Sequence, residues 1–178
     1  MKVFGLAGWS GSGKTTLVAQ LIPAMTMRGI TVSTVKHAHH AFDVDQPGKD
    51  SYVHRKAGAT EVLVTSQNRW VLMHENRGVP EPTLEELLPR LSPVDLILIE
   101  GFKAQPHAKL EVFRRAVGKS LLCLNDPHIV AVASDGPVPE STAPVLALDD
   151  IPSIAEFILD HCGLASVGRA TSAVRRLG

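Results

Sequence analysis

Apolar positions along this chain fall into short continuous runs separated by stretches of helical spacing. Residues 3–7 form a strand-length run that ends in glycines. From Lys14 to about Arg28, Leu17, Leu21, Ile22 and Met25 repeat at helical intervals. Pro23 predicts a kink or an early end there, and Gly29 reads as the stop. Residues 30–35 are β-branched and strand-like, and residues 51–58 suggest a short helix. Glu61–Thr65 is a further strand, with Trp70–His74 a possible one. Thr83 caps a helix through Leu88, with Glu86 at capping-box spacing. Residues 94–99 are a continuous apolar strand. Residues 108–113 and 121–124 are weaker strand candidates, and 129–133 is a clear one. Asp149 or Asp150 opens a last helix that ends near Gly163. Strands apolar on both faces, alternating with helices, predict an α/β fold: a mostly parallel sheet with helices on both faces.

Composition narrows this picture. The 178 residues are 44% hydrophobic and 20% charged, with a formal net charge of zero, which suits one soluble globular domain. We expect that domain over residues 1–164, followed by a small, basic, frayed tail at 165–178. Zero net charge gives no global attraction to nucleic acid or to a membrane, and no apolar run reaches transmembrane length. The N-terminus lacks the apolar core of a signal peptide. Two unpatterned cysteines, Cys123 and Cys162, suit buried thiols in a reducing compartment, so a cytoplasmic location is expected.

The segment "GWSGSGKT" (residues 8–15) matches G-x-x-x-x-G-K-[ST], with a strand before it and a helix after it. Gly8, Gly11 and Gly13 let the backbone wrap a phosphate, and Ser12 lies inside the wrap. The loop amides then point inward at the positive end of the helix dipole. Lys14 reaches the outer phosphates, the Thr15 hydroxyl is set to ligate Mg²⁺, and Thr16 adds an inner-phosphate contact. Such a site needs an acid at the end of a buried strand. "VDLILIEGF" (94–102) offers Asp95 and Glu100, roughly 16 Å apart at about 3.3 Å per residue. Ligands bind beyond the carboxyl ends of parallel strands, which selects Glu100 for the magnesium and for catalysis with Lys14. Gly101 allows a close backbone approach to the γ-phosphate.

The strand at 30–35 delivers "KHAHHAFDVDQPGKDS" (36–51) to the same edge. Its histidines could bind a transition metal, but no cysteine or paired ligand spacing supports them. A substrate-facing or switch-like loop fits better. Asp43 or Asp45 could hold magnesium through water. Lys36, Lys49 and the histidines His37, His39 and His40 could face an anionic partner, with Asp50 closing the stretch.

Together, "GWSGSGKTTL", "TVKHAHHAFDVDQPGKDSYVHRKAGA" and "LILIEGFK" resemble the molybdopterin-guanine dinucleotide biosynthesis adaptor family, over about residues 2 to 160. The resemblance implies a P-loop, GTPase-like, cytoplasmic homodimer that binds GTP with Mg²⁺ and hydrolyses it slowly. It further implies help in attaching GMP to molybdopterin, beside a separate molybdenum cofactor guanylyltransferase. It suggests that the 36–51 loop and Lys103 lie near the nucleotide or the pterin phosphate. The Asn-Lys-x-Asp guanine signature is absent, and Asp135, after the 129–133 strand, is the candidate for the guanine N1–H and amino group. The residues by themselves support a purine nucleoside triphosphate, leaving a small-molecule kinase and a metal-delivery GTPase as alternatives. Trp70–His74 and residues 108–113 are candidate subunit surfaces.

Overall fold

The computed structural model describes residues 1–38, 42–102 and 105–164. His39, His40, Lys103 and the 165–178 tail lie outside the described residues. The chain divides into two compact units. One joins Met1–His37 to the chain from Leu91 onward, and the other is Ala38–Arg90.

The first unit is a six-stranded sheet. In chain order its strands are β1 (Lys2–Ala7), β2 (Val32–Lys36), β5 (Leu96–Glu100), β6 (Lys109–Phe113), β7 (Ile129–Ser134) and β8 (Val145–Ala147). They lie in the order β2-β5-β1-β6-β7-β8, and every pairing is parallel. Leu6 and Lys36 both stand opposite Glu100, so β1, β2 and β5 end at one level. Lys109 stands opposite Gly5, so β6 begins where β1 is ending. β6 therefore lies on the far side of β1 from β5, parallel to both.

Helix α1 (Lys14–Thr26) and helix α4 (Ile151–His161) pack together on one face. Alternation along the strands sends Phe4, Leu6, Leu98, Leu110, Val112 and Ala131 to that face. They meet Leu17, Leu21 and Met25 of α1, and Ile154, Ile158 and Leu159 of α4. The opposite face carries Ala7, Phe113 and Val132, packed with Leu121, Cys123 and Val138 from the flanking loops. Both cysteines are buried and unpaired, as anticipated.

Pro23 does not end α1. It forgoes one backbone donor, but the helix runs on to Thr26, and Gly29 then stops it at φ +82°. Residues 121–124 are turns rather than a strand. The carboxylate of the fully buried Glu111 accepts the amides of Leu122 (2.8 Å) and Cys123 (2.9 Å), which bends the backbone around it. The three-residue β8 was not anticipated, because Pro144 and the charged residues after it hide so short a run.

The second unit holds α2 (Asp50–Lys56) and an antiparallel pair, β3 (Glu61–Thr65) with β4 (Trp70–His74). The short α3 (Leu84–Leu87) follows. Thr83 and Glu86 form the expected capping box. Leu63, Trp70 and Leu72 are exposed on the pair. Of the two candidate subunit surfaces, β6 is buried along its whole length between β1 and β7 and has no edge to offer. No helix among the described residues is long and apolar enough to cross a membrane.

Candidate functional site: the carboxyl ends of β1, β5 and β7

The glycine-rich loop leaves β1 and runs into α1, with Gly13 capping the helix in the left-handed region (φ 98°). Gly8 is the tightest point. Its φ is +140°, and a Cβ there would stand 2.6 Å from the Val112 carbonyl oxygen. Lys14 folds back over the loop, its ammonium donating to the carbonyls of Gly8 (3.0 Å) and Trp9 (2.9 Å). The Ser12 hydroxyl is buried and has no hydrogen-bond partner among the described residues.

Glu100 ends β5 beside this loop. Its two oxygens lie 3.0 and 3.3 Å from the Thr15 hydroxyl, which donates to them. The Lys36 ammonium is 3.6 Å from the nearer oxygen. Immediately afterwards the chain turns through Gly101 at φ +99°. A Cβ at that position would lie 2.7 Å from that of His37, so only glycine lets the exits of β2 and β5 run this close. The His37 amide donates to the Glu100 carbonyl (2.8 Å), and its ring packs 4.7 Å from that of Phe102. Lys14, Thr15, Glu100 and Lys36 thus form a cluster of hard donors and cations at the strand ends. The Thr15 hydroxyl and Glu100 carboxylate are the oxygen donor types that magnesium prefers.

On the other side of the loop lies a cavity of about 630 Å³, lined by Gly13, Thr16, Gln20, Arg114, Asp135 and Leu148 among others. Asp135 follows β7, and Arg114 follows β6. Arg114 Nη1 donates to Asp135 Oδ2 (2.8 Å), and Arg114 Nε donates to the Ser12 carbonyl (3.2 Å). The P-loop is held at a second point by the Trp9 indole, which donates to the Ser120 carbonyl (2.8 Å).

The described residues of the 36–51 stretch are shared between the two units. Lys36 and His37 belong with Glu100 and Gly101, whereas Asp43, Asp45, Lys49 and Asp50 belong to the second unit. Asp45, considered above for holding magnesium through water, is paired with an arginine. Both its oxygens accept from Arg55, at 2.6 and 3.1 Å, and this guanidinium holds the carboxyl below its usual range. Asp43 joins the same guanidinium at 2.8 Å. Lys49 caps α2 and Asp50 starts it. Arg114 was not anticipated as a site residue. It stands one residue past β6, as Asp135 does past β7, so the carboxyl-end rule applied to every strand would have selected it.

A parallel sheet with a glycine loop after its first strand, a lysine-threonine helix start and a strand-end glutamate defines a P-loop nucleoside triphosphatase fold. A profile of the family described as molybdopterin guanine dinucleotide synthesis protein B (MobB) matches residues 3–135, and the chain belongs to this family. It is 45% identical to the molybdopterin-guanine dinucleotide biosynthesis adapter protein of Escherichia coli K12 over 161 residues, 89% of this chain and 91% of that one. The protein of the same description from Haemophilus influenzae is 39% identical, covering 88% and 86%. A crystal structure of molybdopterin-guanine biosynthesis protein B superposes with a TM-score of 0.68 at 26% identity, over 90% of this chain and 99% of that chain. The Bacillus subtilis MobB structure gives 0.70 at 22% identity over 91% and 98%, a likeness of fold.

Proposed function

We propose that this protein is a GTP-binding adapter in the making of molybdopterin guanine dinucleotide, working beside a molybdenum cofactor guanylyltransferase. The pathway is inferred from the relatives, which are molybdopterin-guanine dinucleotide biosynthesis adapter proteins. The observation that carries the nucleotide reading is the Thr15 hydroxyl held against both oxygens of Glu100 at the mouth of the glycine loop. Triphosphate binding needs that combination: loop amides at a helix N-terminus, the Lys14 ammonium, and a hydroxyl–carboxylate pair able to hold Mg²⁺. Bound there, Mg²⁺ would neutralise charge on the outer phosphates. Lys14 leaves its two carbonyls for the phosphates, and Thr15 and Glu100 hold the metal side. Asp135, across the loop, accepts from the guanine N1–H and amino group.

Hydrolysis is slow on this reading. Glu100 is followed by Gly101 and Phe102, with no glutamine to orient an attacking water. A role in handing on a nucleotide needs no fast turnover. The molybdopterin phosphate is read by the lysine and histidine side chains that begin the 36–51 stretch. A homodimer fits the exposed Leu63, Trp70 and Leu72 on the β3–β4 pair, since a two-stranded sheet is marginal by itself, and we place the protein in the cytoplasm, where its two unpaired cysteines stay reduced. The test is a competition titration of the purified protein with GTP and ATP in the presence of Mg²⁺. GTP should bind at least about tenfold tighter, the worth of one charged hydrogen-bonding site. Equal affinities would sink the guanine assignment.

A further inference from the structure

Arg114 has no part in the function proposed above, yet it joins the two halves of the site. Its guanidinium is a rigid plane with five donors. One edge is fixed to the P-loop through the Ser12 carbonyl, and another to the Asp135 carboxylate. Phe113 faces away from α1, so the next residue turns its side chain towards α1 and the cavity. Nη2 lies 3.8 Å from where a Cβ on Gly13 would stand, so the whole group is seated against the start of α1. The Asp135 Oδ1 atom carries no hydrogen bond among the described residues, and Asp135 lines the same cavity as Gly13 and Thr16.

An aspartate at the end of a strand is free to rotate about its own side-chain bonds. A base is read well only when the carboxylate is held in one orientation, because both oxygens must meet N1–H and the amino group together. We infer that Arg114 is a specificity-determining positioning residue: it fixes the Asp135 carboxylate relative to the P-loop, so that guanine and phosphate are recognised as one unit. This rests on the reading of Asp135 as the guanine acceptor. Lysine could not replace it fully, since a point charge on a flexible stem spans one acceptor rather than two in fixed geometry.

The test is a set of titrations with GTP, ATP and xanthosine triphosphate on wild type, Arg114→Gln, Arg114→Lys and Asp135→Asn. Arg114→Gln should weaken GTP by about tenfold and leave ATP within about twofold, so that the GTP-to-ATP ratio collapses. Arg114→Lys should restore part of that ratio. A merely structural arginine would lower both nucleotides alike, and either that result or an unchanged ratio overturns the inference. If Arg114→Gln does not fold, judged by its melting temperature without ligand, Arg114→Lys decides by the same ratio.

The Asp135→Asn variant separates this inference from the reading beneath it. It should lose GTP and gain xanthosine triphosphate, whose C2 oxygen suits an amide donor. If Asp135→Asn keeps its GTP preference, the guanine acceptor is another residue, and the reading fails together with the role of Arg114. If Asp135→Asn switches base while Arg114→Gln keeps the wild-type ratio, only the inference about Arg114 fails.

Discussion

The two ends of β5 carry one carboxylate each, and each carboxylate accepts a threonine hydroxyl. At the amino end Asp95 accepts both the hydroxyl (2.6 Å) and the amide (2.8 Å) of Thr31, and the Thr31 hydroxyl also lies 2.9 Å from the Asp95 amide nitrogen. The motif is closed on itself and ties the start of β2 to β5. These bonds hold the Asp95 carboxyl below its usual range. At the carboxyl end, among the described residues, the Glu100 carboxylate meets the Thr15 hydroxyl and the more distant Lys36 ammonium, and no backbone amide donates to it. The same pair of residue types is a fastener at one end and a ligand site at the other. What differs is whether the surrounding backbone consumes the carboxylate's lone pairs.

The largest expected effect tests the open end. Lys14→Ala should lower nucleotide affinity by about a hundredfold or more, since charge-assisted contacts to phosphate are lost. The fold should hold, because the Lys14 ammonium donates to the Gly8 and Trp9 carbonyls of its own loop rather than to a core element. Binding of a fluorescent GTP analogue checks this, and unchanged affinity would end the P-loop assignment. A crossed pair then sharpens the comparison itself. Glu100→Gln should cut magnesium-dependent hydrolysis by about a hundredfold while nucleotide still binds. Asp95→Ala should leave both untouched and lower the melting temperature by about 3 °C. If Asp95→Ala impaired hydrolysis as much as Glu100→Gln, the two ends would not be functionally distinct.

Much of the carboxyl end was legible in the sequence. The glycine loop is local, with every contributing residue within eight positions, and strand direction alone separated Glu100 from Asp95. The 36–51 stretch was legible only at its start. Lys36 and His37 could be located because they continue a strand, whereas Asp45 meets Arg55, ten residues on, within the second unit. Composition shows that a segment is polar but not which cation it will find. The turn at 121–124 shows the same limit: its apolar residues suit a strand, and it is a buried carboxylate eleven positions earlier that bends it. Arg114 escaped for a related reason, since its meaning depends on Ser12 and Asp135, distant in sequence on either side.

Between the two ends stands a polar group that is neither fastened nor displayed. His107 packs on Gly5, so close that a Cβ there would lie 2.5 Å from Nε2, and neither ring nitrogen has a hydrogen-bond partner among the described residues. Burial pushes its pKa down from 6.5 to about 4. Lys109 adds to that, as does His128 to a smaller degree, and Asp126 opposes it. Lys109 is itself buried and paired with Asp126 at 3.0 Å, so an ion pair stands beside the ring. In the unfolded chain the imidazole takes its proton near pH 6.5. Between that pH and about 4 the unfolded state therefore binds more protons than the folded one. Stability should be full above about 6.5 and fall as pH drops through this window. The loss should be about 1–2 kcal/mol, once screening by water on the ring's open side is allowed for. His107→Leu removes the proton acceptor and two unpartnered nitrogens together, so its stability should stay nearly flat over the same range. Urea unfolding of both proteins at several pH values measures the difference. Parallel curves would mean that the ring finds a partner or water on folding, and that this middle position is fastened after all.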